Sequence, residues 1–111
     1  MPEISDELKS RRNRALRQTR LMLENLEQIG VYAKVVGSLA RDPEEFTESS
    51  DIDILVFDSN QKNYLRVMDV IVAHSENIPV DLIFFHTLAS TYFRNKMLAE
   101  GQDIKGLPKV E

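Results

Sequence analysis

The sequence predicts a single small α/β domain in which helices and short strands alternate. Three segments are rich in β-branched and aromatic residues, and between them apolar residues recur at the spacing of a helix. The chain has 111 residues, of which 42% are hydrophobic, and this length suits one hydrophobic core. We therefore predict one domain over residues 1–111, with a core over about residues 5–104 and a flexible tail over residues 105–111.

The first predicted element is a long amphipathic helix over residues 5–29, whose apolar residues share one side. Ser5 or Asp6 is suited to cap its start, because both side chains can accept a hydrogen bond from a main-chain amide. Gly30 is suited to end it. The helix is therefore expected to pack one face on the core.

A basic cluster occupies the first half of this helix, where six basic residues and no acid lie between Lys9 and Arg20. The cluster spreads around the helix and is typical of a solvated surface. The alternative is a surface that draws in a polyanionic ligand or partner. Arg12 lies near the middle of the apolar side, so it is the member that we expect to contact something specific.

The rest of the chain alternates between strands and helices. The predicted order is a strand over 31–36, a short helix that opens over 38–41, a polar loop over 47–50, a strand over 52–57, a turn and helix cap over 58–60, a helix over 61–74, a strand over 79–85 and a helix over 87–100. Residues 42–45 either continue the short helix or break it, since the residue before Pro43 is biased away from helix. Apolar residues on both faces place the second strand at the centre of its sheet. Four residues of the third helix recur at helical spacing, namely Leu65, Met68, Ile71 and Val72. Thr87 is expected to cap the last helix and Gly101 to stop it.

Composition excludes several classes of protein. The chain contains no cysteine, so a metal ion would have to bind through oxygen or histidine ligands. The formal net charge of −4 argues against a surface that attracts nucleic acid as a whole. No apolar run approaches the roughly 20 residues that a membrane span needs, and the N-terminus lacks an apolar signal core. We therefore expect a cytoplasmic protein with no membrane partner.

Three aspartates stand in strands whose other residues are apolar. Asp51 and Asp53 are two residues apart at the start of the second strand, so their side chains point to the same face, and Asp81 lies in the third strand. Carboxylates in such surroundings are costly unless a cation or hydrogen-bond donors compensate them. If the two strands are neighbours, the carboxylates converge and suit magnesium. A site with two metal ions would support phosphoryl or nucleotidyl transfer.

A Gly-Ser turn supplies the other half of such a site. Gly37 lets a phosphate approach the main chain, and Ser38 adds a hydroxyl donor at the start of the short helix. Arg41 follows one turn later, within reach of a phosphate oxygen. Each signal is weak alone, because a Gly-Ser turn is usually only a turn. Their order along the chain is far more specific.

These residues resemble the minimal nucleotidyltransferases of the DNA polymerase β-like superfamily. The motifs that carry the resemblance are Gly-Ser-Leu-Ala-Arg over 37–41, Ser-Asp-Ile-Asp-Ile-Leu-Val over 50–56 and Val-Asp-Leu-Ile over 80–83. The resemblance implies a small mixed sheet flanked by helices and transfer from a nucleoside triphosphate, with pyrophosphate leaving. It also implies roles for five residues: Gly37 and Ser38 would hold the nucleotide phosphates, Asp51 and Asp53 would bind the magnesium ions, and Asp81 would help to activate the acceptor hydroxyl. The residues themselves add Arg41 as a further phosphate ligand and Asp81 as a third metal ligand.

Small members of this family are similar in size to this chain and form the antitoxin half of two-gene modules with a HEPN ribonuclease toxin. The resemblance implies transfer of AMP from ATP to a tyrosine of that toxin. Two alternatives stay open: a binding module that neutralises the toxin by complex formation, and a transferase acting on a small molecule such as an aminoglycoside. The donor base and the oligomeric state, whether homo- or hetero-oligomer, also stay open.

The chain departs from its apparent relatives in the loop after the Gly-Ser turn. Asp42 follows the arginine, where many members have glycine, and the segment from Ser38 to Asp51 is slightly longer than common. Both departures bear on the loop's shape and on how a substrate approaches. The carboxylates are intact.

Overall fold

A computed structural model describes residues 5–57 and 60–108 of the chain, as a small mixed sheet flanked by helices. The helices are α1 (Asp6–Gln28), α2 (Ser38–Arg41), α3 (Tyr64–His74) and α4 (Thr91–Glu100), and the strands are β1 (Ala33–Val36), β2 (Ile52–Val56) and β3 (Val80–Phe84). Short 3-10 turns connect them at Pro43–Glu45, Gln61–Asn63, Phe85–Thr87 and Ile104–Gly106. The predicted α/β class and the order of its main elements are confirmed.

Helix α1 begins and ends at the residues that suit each terminus. The Ser5 hydroxyl accepts a hydrogen bond from the Leu8 amide at 3.1 Å. At the other end Gly30 has a φ of 78°, which favours glycine, and its amide donates to the carbonyl of Glu27 while the Val31 amide donates to that of Leu26. This pair of bonds is the Schellman arrangement, which closes a helix and turns the chain into the next element.

The sheet has the order β1-β2-β3. Strand β2 pairs antiparallel with β1 and parallel with β3, and it is central, as predicted. The parallel pair needs a crossover connection, and α3 supplies it. The register places Asp53 opposite Val36 on one side and opposite Asp81 on the other.

The core lies between one face of the sheet and the helices α1 and α3, which pack on each other. Alternate strand residues fill it, among them Val35, Ile52, Ile54 and Val56, each buried. Because side chains alternate between the faces of a strand, Asp53 and Asp81 project from the opposite face. The hydrophobic core thus packs on the face of the sheet opposite to the one that carries the acidic residues.

Of the four α3 residues that the helical spacing singles out, only Ile71 is buried. Val67 and Ile71 are buried, whereas Leu65 is 74% exposed and Val72 is 69% exposed. The helix is apolar on two sides, so periodicity alone does not say which side packs. Contact with α1 selects the side of Val67 and Ile71.

The start of α4 also differs from the prediction. The side chain of Ser90, not that of Thr87, caps the helix by accepting from the Phe93 amide. Thr87 lies in the preceding 3-10 turn, where its hydroxyl donates to the Phe84 carbonyl at 2.7 Å. Both residues are suited to capping, and the earlier of them is used to close the turn. Gly101 ends the helix, as predicted.

Two further predictions fall near the limits of the described residues. In the turn over 58–60, Asp58 and Ser59 lie outside them, while Asn60 accepts from the Lys62 amide at 3.0 Å. In the tail over 105–111, Leu107 is buried in the core and residues 109–111 lie outside the described ranges, so the flexibility of the tail stays a prediction. Arg20 holds this segment by donating to the carbonyls of Ile104 and Leu107.

Replacing Leu107 by alanine is expected to lower the free energy of unfolding by about 2–4 kcal/mol, because the substitution leaves a cavity in the core. Leu98 is 46% exposed on α4, so its replacement by alanine is the matched control, with an expected loss below about 1 kcal/mol. Urea denaturation of both variants measures the difference. Equal losses would show that Leu107 packs too weakly to contribute to the core.

None of the helices within residues 5–57 and 60–108 combines the length and the apolar character that crossing a bilayer requires.

Candidate active site

Two of the predicted site residues are direct neighbours across the sheet. Asp53 on β2 and Asp81 on β3 are partners in the parallel register, so their side chains leave the same face side by side. Asp51 lies two residues before Asp53, at the entry to the strand. Asp53 is half-buried and Asp81 is exposed. The structure thus brings three carboxylates to one end of the sheet.

The charges of these carboxylates act on one another. Burial, followed by the negative charges of Asp81 and Asp51, raises the pKa of Asp53 from 3.8 to about 6. The positive charge of Arg41 acts in the opposite direction. Burial and the neighbouring acids thus both disfavour the ionised form of Asp53, and a bound cation would offset this cost.

Gly37, the first residue of the Gly-Ser turn, lies against the carboxylate of Asp53. It has a φ of 77° and a ψ of −157°, a combination that side chains other than hydrogen rarely allow. A Cβ added to Gly37 would overlap Oδ2 of Asp53 and lie 3.3 Å from its Cγ. The main chain of the turn consequently runs directly against the Asp53 carboxylate, and glycine is required there for two separate reasons.

Helix α2 begins at Ser38 and places Arg41 at the rim of the cluster. The amides of Ala40 and Arg41 both donate to the Gly37 carbonyl, which sets the helix directly after the turn. The Arg41 guanidinium donates to Glu45 at 3.2 Å and to Glu100 at 3.4 Å. The hydrogen bond that Arg41 donates to Glu45 raises the pKa of Arg41. Arg41 is thus held beside the acids and stays exposed to a ligand.

Glu100 is a residue of this region that sequence reasoning missed. It lies at the end of α4, its side chain is 13% exposed, and its charge contributes to the raised pKa of Asp53. In the sequence it is an ordinary polar residue at a helix end, so no local signal marks it. Only the tertiary fold brings the end of α4 to Arg41.

The donors fit magnesium in kind, although they do not form a closed set of ligands. Within the described ranges, no group of three or more histidine, aspartate or glutamate side chains is placed to hold a metal ion. Magnesium normally takes only one or two carboxylates and completes its shell with water and substrate phosphates. Asp51, Asp53 and Asp81 would hold it here, since they are the acids whose charges crowd one another.

The Asp42 that departs from the family pattern causes no strain. Its φ of −162° and ψ of 113° are extended, a conformation open to any residue. Its side chain accepts from the Glu44 amide at 3.0 Å and so caps the 3-10 turn that follows. Aspartate here starts a turn that glycine would leave uncapped.

Comparison with known protein families gives a match over most of the chain. The family model described as polymerase beta, nucleotidyltransferase matches residues 18–107, a range that includes all six candidate site residues. No curated protein matches the chain.

Proposed function

The chain belongs to the polymerase beta nucleotidyltransferase family, and on this premise we propose that it transfers AMP from ATP to a hydroxyl group of a partner protein. We propose that the acceptor is a tyrosine of a HEPN ribonuclease toxin, for which this chain is the antitoxin. The reaction would take place in the cytoplasm. Its donor substrate would be ATP and its metal magnesium.

One observation carries the proposal. Three carboxylates meet at one end of the sheet, and the main chain of a Gly-Ser turn lies against the central carboxylate. A metal held by the carboxylates and a phosphate held by the turn would therefore be adjacent. Nucleotidyl transfer needs this adjacency, because the metal must contact the phosphate that is attacked.

In the proposed reaction the acceptor oxygen attacks the α-phosphorus of ATP. One P–O bond forms as the bond to pyrophosphate breaks, and the hydroxyl proton passes to a carboxylate. Asp81 is our candidate for that base, because it is exposed on the same face as Asp53. Magnesium, when bound, would neutralise charge on the phosphates. Gly37 and Ser38 would position those phosphates, and Arg41 would bind them from the rim.

The open form of the site supports a protein as the acceptor. Asp81 and Arg41 are exposed, so the acids lie on a surface that a partner can cover. A cavity of about 580 Å³ is lined by residues that include Leu23, Tyr32 and Ile104, at the other end of β1 from Asp53. An acceptor that brings its own surface would not need such a cavity beside the acids.

Incubation with ATP, magnesium and the partner tests the proposal. Label at the α-phosphate should appear on a tyrosine of the partner and should disappear when EDTA removes the metal. Label at the γ-phosphate should not be transferred, which separates AMP transfer from phosphorylation. Tight binding of the partner without any label would contradict the proposal, and so would label on an aminoglycoside in the absence of a partner.

A further inference from the structure

The loop over residues 42–50, here called the α2–β2 loop, is held by two arginines of α1 through its main-chain carbonyls. Arg12 donates from Nε to the Phe46 carbonyl at 2.8 Å and from Nη2 to the Glu44 carbonyl. Arg11 donates from Nε to the Thr47 carbonyl at 3.2 Å and from Nη2 to the Ser50 carbonyl at 2.9 Å. Two members of the basic cluster, both partly buried, therefore bind carbonyls of the chain itself.

Side chains of the loop reinforce this attachment. Phe46 is fully buried in the core, and the Arg11 guanidinium lies over its ring, 5.6 Å from the centroid. The Thr47 amide donates to the Ser50 hydroxyl at 2.9 Å, so the loop closes on itself just before β2. The loop is consequently fixed at its middle by Phe46 and at its end by Arg11.

The end of the α2–β2 loop leads directly into the candidate site. Ser50, whose carbonyl Arg11 binds, is joined directly to Asp51, and Arg41 precedes the loop at its other end. A guanidinium is a planar fork whose two donors fix the direction as well as the distance of the groups that they bind. Arg11 therefore holds the peptide group that leads into Asp51, while Arg12 holds the loop further back.

We propose that Arg11 and Arg12 are positioning residues for the carboxylates. They do not touch the reacting atoms. They hold the α2–β2 loop so that Asp51 stands beside Asp53, where the two can share a metal ion. This inference rests on the proposed function, because it takes Asp51 to be a metal ligand.

Arg20 offers a matched comparison within the same helix. It also binds main-chain carbonyls, those of Ile104, Leu107 and Pro108, but these belong to the segment after α4. Its replacement removes a similar set of hydrogen bonds from a place away from Asp51. A loss of general stability would affect the Arg20 variant as well, whereas a loss of positioning would not.

The experiment compares Arg11→Gln, Arg12→Gln and Arg20→Gln by two measurements. Amide hydrogen exchange reports on each segment, and electron paramagnetic resonance of Mn²⁺, with a non-hydrolysable ATP analogue, reports metal binding without activity. Arg11→Gln and Arg12→Gln should speed exchange in residues 44–51 and weaken Mn²⁺ binding about tenfold, the scale seen when residues that orient metal ligands are changed. Arg20→Gln should speed exchange only in residues 102–108 and leave Mn²⁺ binding within about twofold of the unchanged protein.

Arg11→Lys tests the geometry. Lysine keeps the charge but offers a single donor centre, so it should not restore protection at both Thr47 and Ser50. Full protection in this variant, unchanged exchange in Arg11→Gln and Arg12→Gln, or equally weak Mn²⁺ binding in Arg20→Gln would each overturn the proposal. Absence of Mn²⁺ binding in the unchanged protein would instead overturn the proposed function and the metal role of Asp51, while the exchange data would still decide whether the arginines hold the loop.

Discussion

Replacing Asp53 by asparagine is expected to abolish nucleotidyl transfer and, at the same time, to stabilise the fold. Loss of a carboxylate that would bind the metal should reduce the rate by about 10³-fold or more. The same change removes a half-buried charge that lies beside Asp51 and Asp81. Activity and stability should therefore change in opposite directions.

The sign and size of the stability effect follow from the pKa of Asp53, which is about 6 in the folded protein against 3.8 ordinarily. Between these values the folded state binds more protons than the unfolded state, so stability falls as the pH rises. The shift corresponds to about 3 kcal/mol at most, and solvent around the half-buried carboxyl reduces this to about 1–2 kcal/mol. The gain in Asp53→Asn should thus be large at pH 7 and small near pH 4.

Urea denaturation in EDTA, at both pH values, measures this effect without bound metal. Asp69→Asn, on the exposed side of α3, is the control, and it should leave transfer unchanged and shift the free energy of unfolding by less than about 0.5 kcal/mol. If Asp53→Asn is less stable than the unchanged protein at pH 7, then the charge of Asp53 does not destabilise the fold and this prediction is wrong. A variant that keeps its activity would contradict the metal role.

Replacing Gly37 by alanine is expected to damage both the fold and the site. The new Cβ would overlap the Asp53 carboxylate, and the backbone at φ 77° and ψ −157° is strained for any other residue. We expect the free energy of unfolding to fall by about 2–4 kcal/mol, which combines backbone strain of about 1–3 kcal/mol with displacement of Asp53. Transfer should fall at least about 100-fold, because the carboxylate must move.

Gly30 is the matched control for this change. It also has a positive φ, 78°, but a Cβ there would meet nothing within 4 Å. Gly30→Ala should therefore cost only the backbone term, about 1 kcal/mol, and leave transfer unchanged. Urea denaturation and label transfer on both variants separate strain from contact. Equal effects on activity would show that the approach of Gly37 to Asp53 does not matter for the reaction.

Much of the fold could be predicted because its signals are local. The Gly-Ser turn predicts a short helix that opens at Ser38, and the apolar residues on both faces of β2 predict that this strand is central. The shared face of Asp51 and Asp53 follows from the two-residue period of a strand. These two residues lie beside Asp81 only because β2 and β3 are neighbours in the sheet. The sequence does not show which strands are neighbours.

The predictions that failed concern choices between similar local signals. Ser90 and Thr87 are both good caps, and α3 has two apolar sides, so contacts with the rest of the molecule made each choice. Leu107 lies in a tail with few apolar residues, and its burial depends on packing with the core beside α1. Such choices are made by packing, which no short stretch of sequence records.

By itself, the sequence determined the order of the elements, the positions of Gly37 and the three aspartates at strand ends, and the family to which these motifs point. These features depend on residues a few positions apart, whose geometry the backbone sets. Only the tertiary structure decided that Gly37 lies against Asp53, that Glu100 reaches Arg41, and that Arg11 holds the loop before Asp51. These contacts join residues far apart in the chain, and they form because burying the core leaves few ways to place the surrounding segments.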